Sequence, residues 1–337
     1  MIDQLNPNVK GAVTALLAFG IFASHDVIIK FLGGEYSAFQ IAFFSGIFGF
    51  PVVLLMLIGD RSDGNLIPRH PYWTALRTIC AVATGISAFY AFSVLPLAQT
   101  YALLFVTPLL ITVLAIPILG ETVGIHRWAA VVIGLIGVII VLRPGQEGLS
   151  SGHLAALIAA ICGAIASIIV RKIGDEERPI VLLLYPMFAN IFLAGAFLPF
   201  VYRPMPVEHL GMLVIVAAFG LAASLLIILA FRNAEAVVVA PMQYTQIMWA
   251  AFFGFFLFGE RPDMATGIGA AIIVSSGIYI VLREGHSGNS ENQPVLQTRG
   301  RNEVGTAPRS SILERLRRAN QDVGVTARRK IREEIQK

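Results

Sequence analysis

Residues 92–145 read FSVLPLAQTYALLFVTPLLITVLAIPILGETVGIHRWAAVVIGLIGVIIVLRPG. An apolar run passes through Leu95-Pro96-Leu97-Ala98 and Thr107-Pro108 and closes at Gly120-Glu121-Thr122. A second apolar run ends at Leu142-Arg143-Pro144-Gly145. The same order of features returns later: Phe231 opens an apolar run, Gly259-Glu260-Arg261 closes it, and another ends at Leu282-Arg283-Glu284-Gly285. An offset of 139 residues sets Phe92 on Phe231, Gly120 on Gly259 and Glu121 on Glu260, and a one-residue gap then sets Leu142-Arg143 on Leu282-Arg283. Few side chains match, so the repeat rests on the order of its features. In a hydrophobic chain, two related halves point to a transporter.

The surrounding composition fits that reading. The chain has 337 residues, of which 56% are hydrophobic and only 14% charged, against roughly 25% charged in a soluble domain. A bilayer span needs about 20 apolar residues. Ten stretches qualify, at 10–32, 37–58, 72–94, 98–119, 126–142, 153–172, 179–201, 209–231, 236–258 and 264–282. Backbone in hydrocarbon must satisfy its own hydrogen bonds, so these runs are expected to be helices, and short alternating barrel strands are absent. The expected fold is an all-α polytopic membrane protein.

Ten spans divide into five and five. Lys10-Gly11 with Lys30 matches Ser151-Gly152 with Arg171 at an offset of 141, so the second half begins like the first. Five is odd, so the second repeat enters the membrane from the opposite face, and the repeats are inverted with substrate between them. The expected units are 10–142 and 152–283, followed by a basic tail over 284–337. The beginning of the tail is polar and expected to be disordered; Ser311 to Glu314 then fits a helix-capping box before a basic segment. That segment reads as a solvated, topology-fixing tail or as a contact with anionic lipid.

Lys10, Arg61, Arg69, Arg127, Arg171, Lys172, Arg178 and Arg232 fall on one side of the membrane, and Lys30, Arg143, Arg203 and Arg261 on the other. The basic tail joins the first set. Both termini are therefore expected in the cytoplasm, with the chain a multi-pass protein of the cell membrane. The first apolar run reads as a retained helix, since no small-residue cleavage site follows it.

Few ionisable groups fall inside the spans, where a charge costs about 2.5–3.5 kcal/mol or more. His25 and Asp26 lie in the second half of span 1. Asp26 reads either as a proton-linked or substrate-binding carboxylate, with an imidazole beside it, or as half of an i,i+4 pair with Lys30. His25 and Asp26 point about 100° apart, so both reach the bundle interior only at its edge. Arg77 enters span 3 by about a turn and a half and either snorkels to headgroups or takes an anionic group. Span 9 carries Gln243, Tyr244, Gln246 and Trp249. Gln243 and Gln246 share a face and align with Leu104 and Thr107 of span 4. Such a set suits a polar or aromatic metabolite, or else joins helices by amide hydrogen bonds. Tyr101, Tyr90, Tyr185 and Asn190 are further candidates. Glu121 and Glu260 read as structural, each following a helix-ending glycine and tying the tight turn, one on each side of the membrane; a carboxylate there opposes the helix dipole unless it caps the next helix.

No P-loop, metal-ligand spacing or nucleophile–base set is present, so neither a cofactor nor a metal is expected, and the chain is not expected to be an enzyme. The basic tail lacks the aromatic interleaving of nucleic-acid binders. Cys80 and Cys162 both lie in apolar runs, which argues against a structural disulfide.

These residues together resemble the drug/metabolite transporter superfamily, in its EamA-type ten-helix branch. The resemblance runs through Asp26 with Lys30-Phe31-Leu32-Gly33-Gly34, Arg77 with Gly85, Leu95-Pro96-Leu97-Ala98, Thr107-Pro108, Gly120-Glu121, Arg127-Trp128, Gly134 with Gly137, Leu142-Arg143-Pro144-Gly145 and Gly259-Glu260. It covers about residues 10–285 and excludes the tail. One departure is that Phe43-Phe44 is followed by Ser45 where such proteins often carry arginine. The resemblance implies a secondary or facilitative transporter of a small organic metabolite, working by alternating access. The Asp-x-x-x-Lys and span-3 arginine pattern looks like that of S-adenosylmethionine or riboflavin-type transporters. Proton coupling and a homodimer stay open as readings. The competing readings are a membrane-embedded enzyme or lipid-handling scaffold, and a channel, which would need a continuous polar stripe.

Overall fold

The computed structural model describes residues 7–58, 66–120, 124–143, 150–173, 176–177, 179–234 and 236–286. Their regular elements are all helical, as backbone in hydrocarbon requires. The first half holds α1 (Pro7–Gly33), α2 (Ala38–Ile58), α3 (Pro71–Val94), α4 (Leu97–Leu104), α5 (Thr107–Leu119) and α6 (Ile125–Leu142). The second holds α7 (Ser151–Ile173), α8 (Pro179–Val201), α9 (Val207–Asn233), α10 (Ala236–Val239), α11 (Thr245–Phe258) and α12 (Met264–His286). A 3₁₀ turn, Ala240–Tyr244, joins α10 to α11. Residues 287–337, which include the expected capping box and basic segment, lie outside the described residues.

The twelve α-helices of the described residues make ten spans because spans 4 and 9 are each interrupted, a feature that hydropathy alone did not reveal. Pro108 has no N–H to give the Leu104 carbonyl four residues back. The Thr107 hydroxyl donates to that carbonyl instead, at 2.7 Å, across the break between α4 and α5. In span 9, Pro241 sits in the 3₁₀ turn and the Thr245 hydroxyl donates to the Met242 carbonyl at 2.6 Å. Thr107 and Thr245 each begin the second helix of their span. By role they correspond, one residue away from the alignment that set Thr107 on Gln246. Both interrupted spans end alike: Gly120 has φ 74° and Gly259 has φ 64°, the left-handed cap that glycine adopts without steric cost.

Packing follows the repeat. The most extensive helix pairings are α1 with α9, α3 with α7, α6 with α12 and α2 with α8. Exchanging the two repeats converts the first pairing into the second and maps each of the other two onto itself. Every one of these pairs joins one repeat to the other, so neither half encloses its own core. A single buried cluster accordingly draws Ile29, Phe92, Tyr101 and Val141 together with Ala156, Leu213, Tyr244 and Ile273. α6 and α12 cross at glycines: a Cβ on Gly137 would fall 2.9 Å from the Gly269 carbonyl, and one on Gly269 2.7 Å from that of Gly137. Small residues at such crossings let backbones approach where lipid offers no hydrophobic drive between helices.

Candidate functional site

The break in span 4 faces the polar end of α1. Asp26 is 0% exposed. Tyr101, on α4, donates its hydroxyl to Asp26 Oδ2, and His25 Nδ1 lies 2.9 Å from Oδ1. Adjacent residues on a helix were expected to reach the interior only at its edge, yet both are buried because neighbours close on each side. The His25 ring is 6.3 Å from that of Phe89 on α3 and lies beside Gly220 of α9. A carboxylate, an imidazole and a phenol thus share one buried centre built from α1, α3, α4 and α9. Groups so placed can hold a proton or accept a cationic part of a ligand.

Aromatic rings lead from this centre to span 9. Tyr101 meets Phe92 at 5.2 Å and Phe105 at 5.9 Å, and Phe105 meets Tyr244 at 5.1 Å. Tyr244 closes the 3₁₀ turn, and its hydroxyl occupies the place where any Cβ on Gly277 of α12 would stand. Gln246 follows in the first turn of α11 and is 0% exposed. Neither its Oε1 nor its Nε2 has a hydrogen-bond partner among the described residues. Gln243 is half-buried in the 3₁₀ turn. Trp249 stands apart, 37% exposed, stacked on Phe253 at 6.0 Å and lying over Gly20 of α1. The structure therefore gathers His25, Asp26, Tyr101 and Tyr244 around one core, buries Gln246 beside it, and leaves Trp249 at the periphery. The Thr107 hydroxyl is directed to the break, with the Ala160 carbonyl of α7 farther off at 3.4 Å.

Lys30 does not pair with Asp26. Its Nζ lies 2.8 Å from Glu260 Oε1, donates to the Leu95 carbonyl at 2.6 Å, and sits 5.3 Å from the Phe258 ring. Glu260 Oε2 accepts the Leu97 N–H at 2.9 Å. Glu260 thus reaches beyond the tight turn beside it and caps α4, in the other repeat, where negative charge meets the positive end of the helix dipole. Asp263 takes the local role, accepting from Thr266 N–H at 3.0 Å at the start of α12. Glu121 lies outside the described residues.

On the same face Arg143 pairs with Asp263 and Gln99 Nε2 lies 3.0 Å from His153 Nε2. These residues, with Arg261, line a cleft of about 270 Å³ between the repeats. At the opposite face Arg77 donates to the Leu182 carbonyl of α8, so it is tied across the repeats rather than extended to headgroups. There His70 Nε2 is 2.7 Å from Glu176, and Glu177 accepts the His70 N–H at 3.0 Å, just ahead of α3. Sequence reasoning passed over Gln99, His153, Asp263, His70, Glu176 and Glu177, because each pairs far away along the chain. Tyr90 bonds Ser151 at 2.8 Å and Asn190 the Ala42 carbonyl at 3.3 Å, both helix-to-helix ties, and Tyr185 bonds the Leu66 carbonyl, in the connection ahead of α3, at 3.4 Å.

Residues 9–143 and again 150–283 match the EamA-like transporter family. An S-adenosylmethionine uptake transporter of Rickettsia prowazekii is 27% identical over 294 residues, spanning 87% of this chain and 99% of its own. A riboflavin transporter of Rhizobium johnstonii is 27% identical over 286 residues, spanning 82% and 92%. A pseudopaline exporter of Pseudomonas aeruginosa is 23% identical over 277 residues, spanning 80% and 95%. A solved crystal structure at 18% identity superposes with a TM-score of 0.55 over 84% of this chain and 99% of that one, a likeness of fold.

Proposed function

Because the chain belongs to the EamA-like transporter family, we propose that the Asp26 centre is where its substrate or a coupled proton is held during transport. The protein is a multi-pass membrane transporter of a small organic metabolite and not an enzyme. The alternatives of an intramembrane enzyme or a lipid-handling scaffold are not favoured. The finer reading is ours: alternating access between the two repeats, in the cytoplasmic membrane, with both termini in the cytoplasm. S-adenosylmethionine, named for one relative, is the first substrate to test, and riboflavin the second. Relatives are named for both uptake and export, so both directions are assayed.

One observation carries this reading. Asp26 is wholly buried and hydrogen-bonded to His25 of the same helix and to Tyr101 beside the break in span 4. An intramembrane carboxylate is costly and is retained where it serves a pathway. A proton or a cationic group would compensate its charge, and displacing either would rearrange the bond to Tyr101. The bond joins α1 to α4, so loading the site acts on the interrupted span directly.

The test is flux of labelled S-adenosylmethionine and riboflavin into and out of proteoliposomes, with and without an imposed pH gradient. Wild type is expected to move at least one without ATP. Asp26→Asn is expected to slow that flux by about tenfold or more, the scale of losing a hydrogen bond to a charged group, and to remove any response to the gradient. Unchanged flux and an intact pH response in Asp26→Asn would remove Asp26 from the site.

A further inference from the structure

Two glutamines are wholly buried among the described residues, and their surroundings differ. Gln40 of α2 is 0% exposed and satisfied at both ends: its Nε2 donates to the Arg203 carbonyl at 2.7 Å and its Oε1 accepts the Arg203 N–H at 2.9 Å. That bidentate match, from α2 to the connection between α8 and α9, is what an amide does when its task is structural. Gln246 is equally buried, and among the described residues neither amide atom has a hydrogen-bond partner. An amide offers one acceptor and two N–H donors, and leaving them unmade in an apolar setting is costly. Buried polar groups without partners are few in native proteins and call for an explanation.

Position supplies one. Gln246, Ala250 and Gly254 form the buried stripe of α11, and α11 packs mainly against α1 and α4. These are the helices that carry Asp26 and Tyr101. Phe105 and Tyr244, in ring contact at 5.1 Å, lie at the breaks in the two spans. We propose that Gln246 is the specificity-determining residue of the transport site and reads the edge of a planar heteroaromatic ring that presents a hydrogen-bond donor next to an acceptor. Such an edge occurs in purines, pyrimidines, pteridines and flavins. The amide donates to the ring acceptor and accepts from the ring donor, as Gln40 does with Arg203, while the aromatic residues pack against the face of the ring. This inference rests on the reading of the Asp26 centre as the transport site and adds the class of ligand that the neighbouring wall selects.

The experiment uses the full-length protein with adenosine and with purine riboside, which lacks the exocyclic amine and so the donor. Affinities come from competition against labelled S-adenosylmethionine and from direct calorimetry, and the Tm of the ligand-free protein is measured beside them. Wild type is expected to prefer adenosine by about tenfold or more, as a bidentate amide contact to a base edge discriminates. Gln246→Leu is expected to bring the two ligands within about twofold to threefold of each other while its ligand-free Tm holds or rises, since an unsatisfied amide has gone. The inference is overturned if wild type treats the two alike or if Gln246→Leu keeps the preference. It is also overturned if that variant lowers the ligand-free Tm and weakens both ligands equally, the mark of an amide that only joins helices. If no heteroaromatic probe binds wild type, the inference again fails. Uptake of a non-aromatic amine such as choline or spermidine that requires Asp26 would then leave the transport site standing.

Discussion

Spans 4 and 9 are the same device carrying different chemistry. Each is cut near its middle, begins its second helix on a threonine whose hydroxyl takes a carbonyl three residues back, and ends on a left-handed glycine. Around the cut they diverge. Span 4 supplies Tyr101 to a carboxylate on α1, whereas the residue that aligns with Tyr101 in span 9 is Ala240, and the one that aligns with Asp26 in α7 is Ser167. Span 9 supplies Tyr244 and Gln246 instead. On the proposed alternating-access reading the difference separates two jobs: the shared breaks would serve the movement of the repeats, and the unshared side chains would hold what is carried. Discontinuous helices at repeat interfaces are where transporters of inverted design bind substrate.

The widest gap between the halves is expected at Asp26 and its counterpart. Asp26→Ala removes the carboxylate and leaves Tyr101 and His25 facing a void. Transport is expected to fall about a hundredfold, near the upper range for hydrogen bonds to charged groups. Ser167 already spends its hydroxyl on the Gly163 carbonyl of its own helix, at 2.7 Å, and Ser167→Ala is expected to stay within about twofold. Initial rates of both variants in proteoliposomes check this. Equal losses would mean that the centre is shared by symmetry and not built on the first repeat alone.

A second asymmetry concerns how each interrupted span is held at its start. α4 begins under Glu260, which also meets Lys30. Glu260→Gln keeps an acceptor for the Leu97 N–H but loses the ion pair and the charge at the helix terminus. Such a terminal charge contributes up to about 2 kcal/mol when partly buried. The expected result is a lower Tm and faster labelling of cysteines placed beside Leu97, and the Lys30→Glu, Glu260→Lys double variant should recover part of the loss. No change in either reading would assign the contact to surface decoration.

Much of the scaffold was legible. Ten apolar runs, the glycine endings and the order of the repeat all rest on local composition, and the helices follow from it. The breaks were not legible, because residues on both sides of Phe105 are as apolar as the rest of the span, and proline in a first helical turn breaks no rule. Sequence spacing drew Lys30 to Asp26 at i+4 and Glu260 to the turn beside it, since local geometry offers only near neighbours. Both found partners elsewhere. Lys30 and Glu260 meet only once the repeats pack, 230 positions apart in the chain. Asp26, His25, Tyr101, Tyr244 and Gln246 were all noted from the sequence. That Asp26 and Tyr101 bond directly while Gln246 has no hydrogen-bond partner among the described residues belongs to tertiary structure alone.

The breaks themselves allow a finer distinction. Thr107→Val and Thr245→Val each remove one hydroxyl from a carbonyl at the cut, and each is expected to cost about 1 kcal/mol and lower Tm by a few degrees. If the shared breaks serve movement, both variants should also alter transport to a similar extent, though one lies in each repeat. A variant that affects only one direction of flux would show that the two cuts work separately. Trp249→Phe provides the reference for a span-9 side chain outside the site. Trp249 is partly exposed and packs on Phe253 and Gly20, and phenylalanine retains most of that contact. Flux and ligand preference are expected to stay within about twofold, the scatter of surface substitutions. A changed preference between adenosine and purine riboside in Trp249→Phe would extend the reading wall outward along α11, beyond Gln246 and toward the seam with α1.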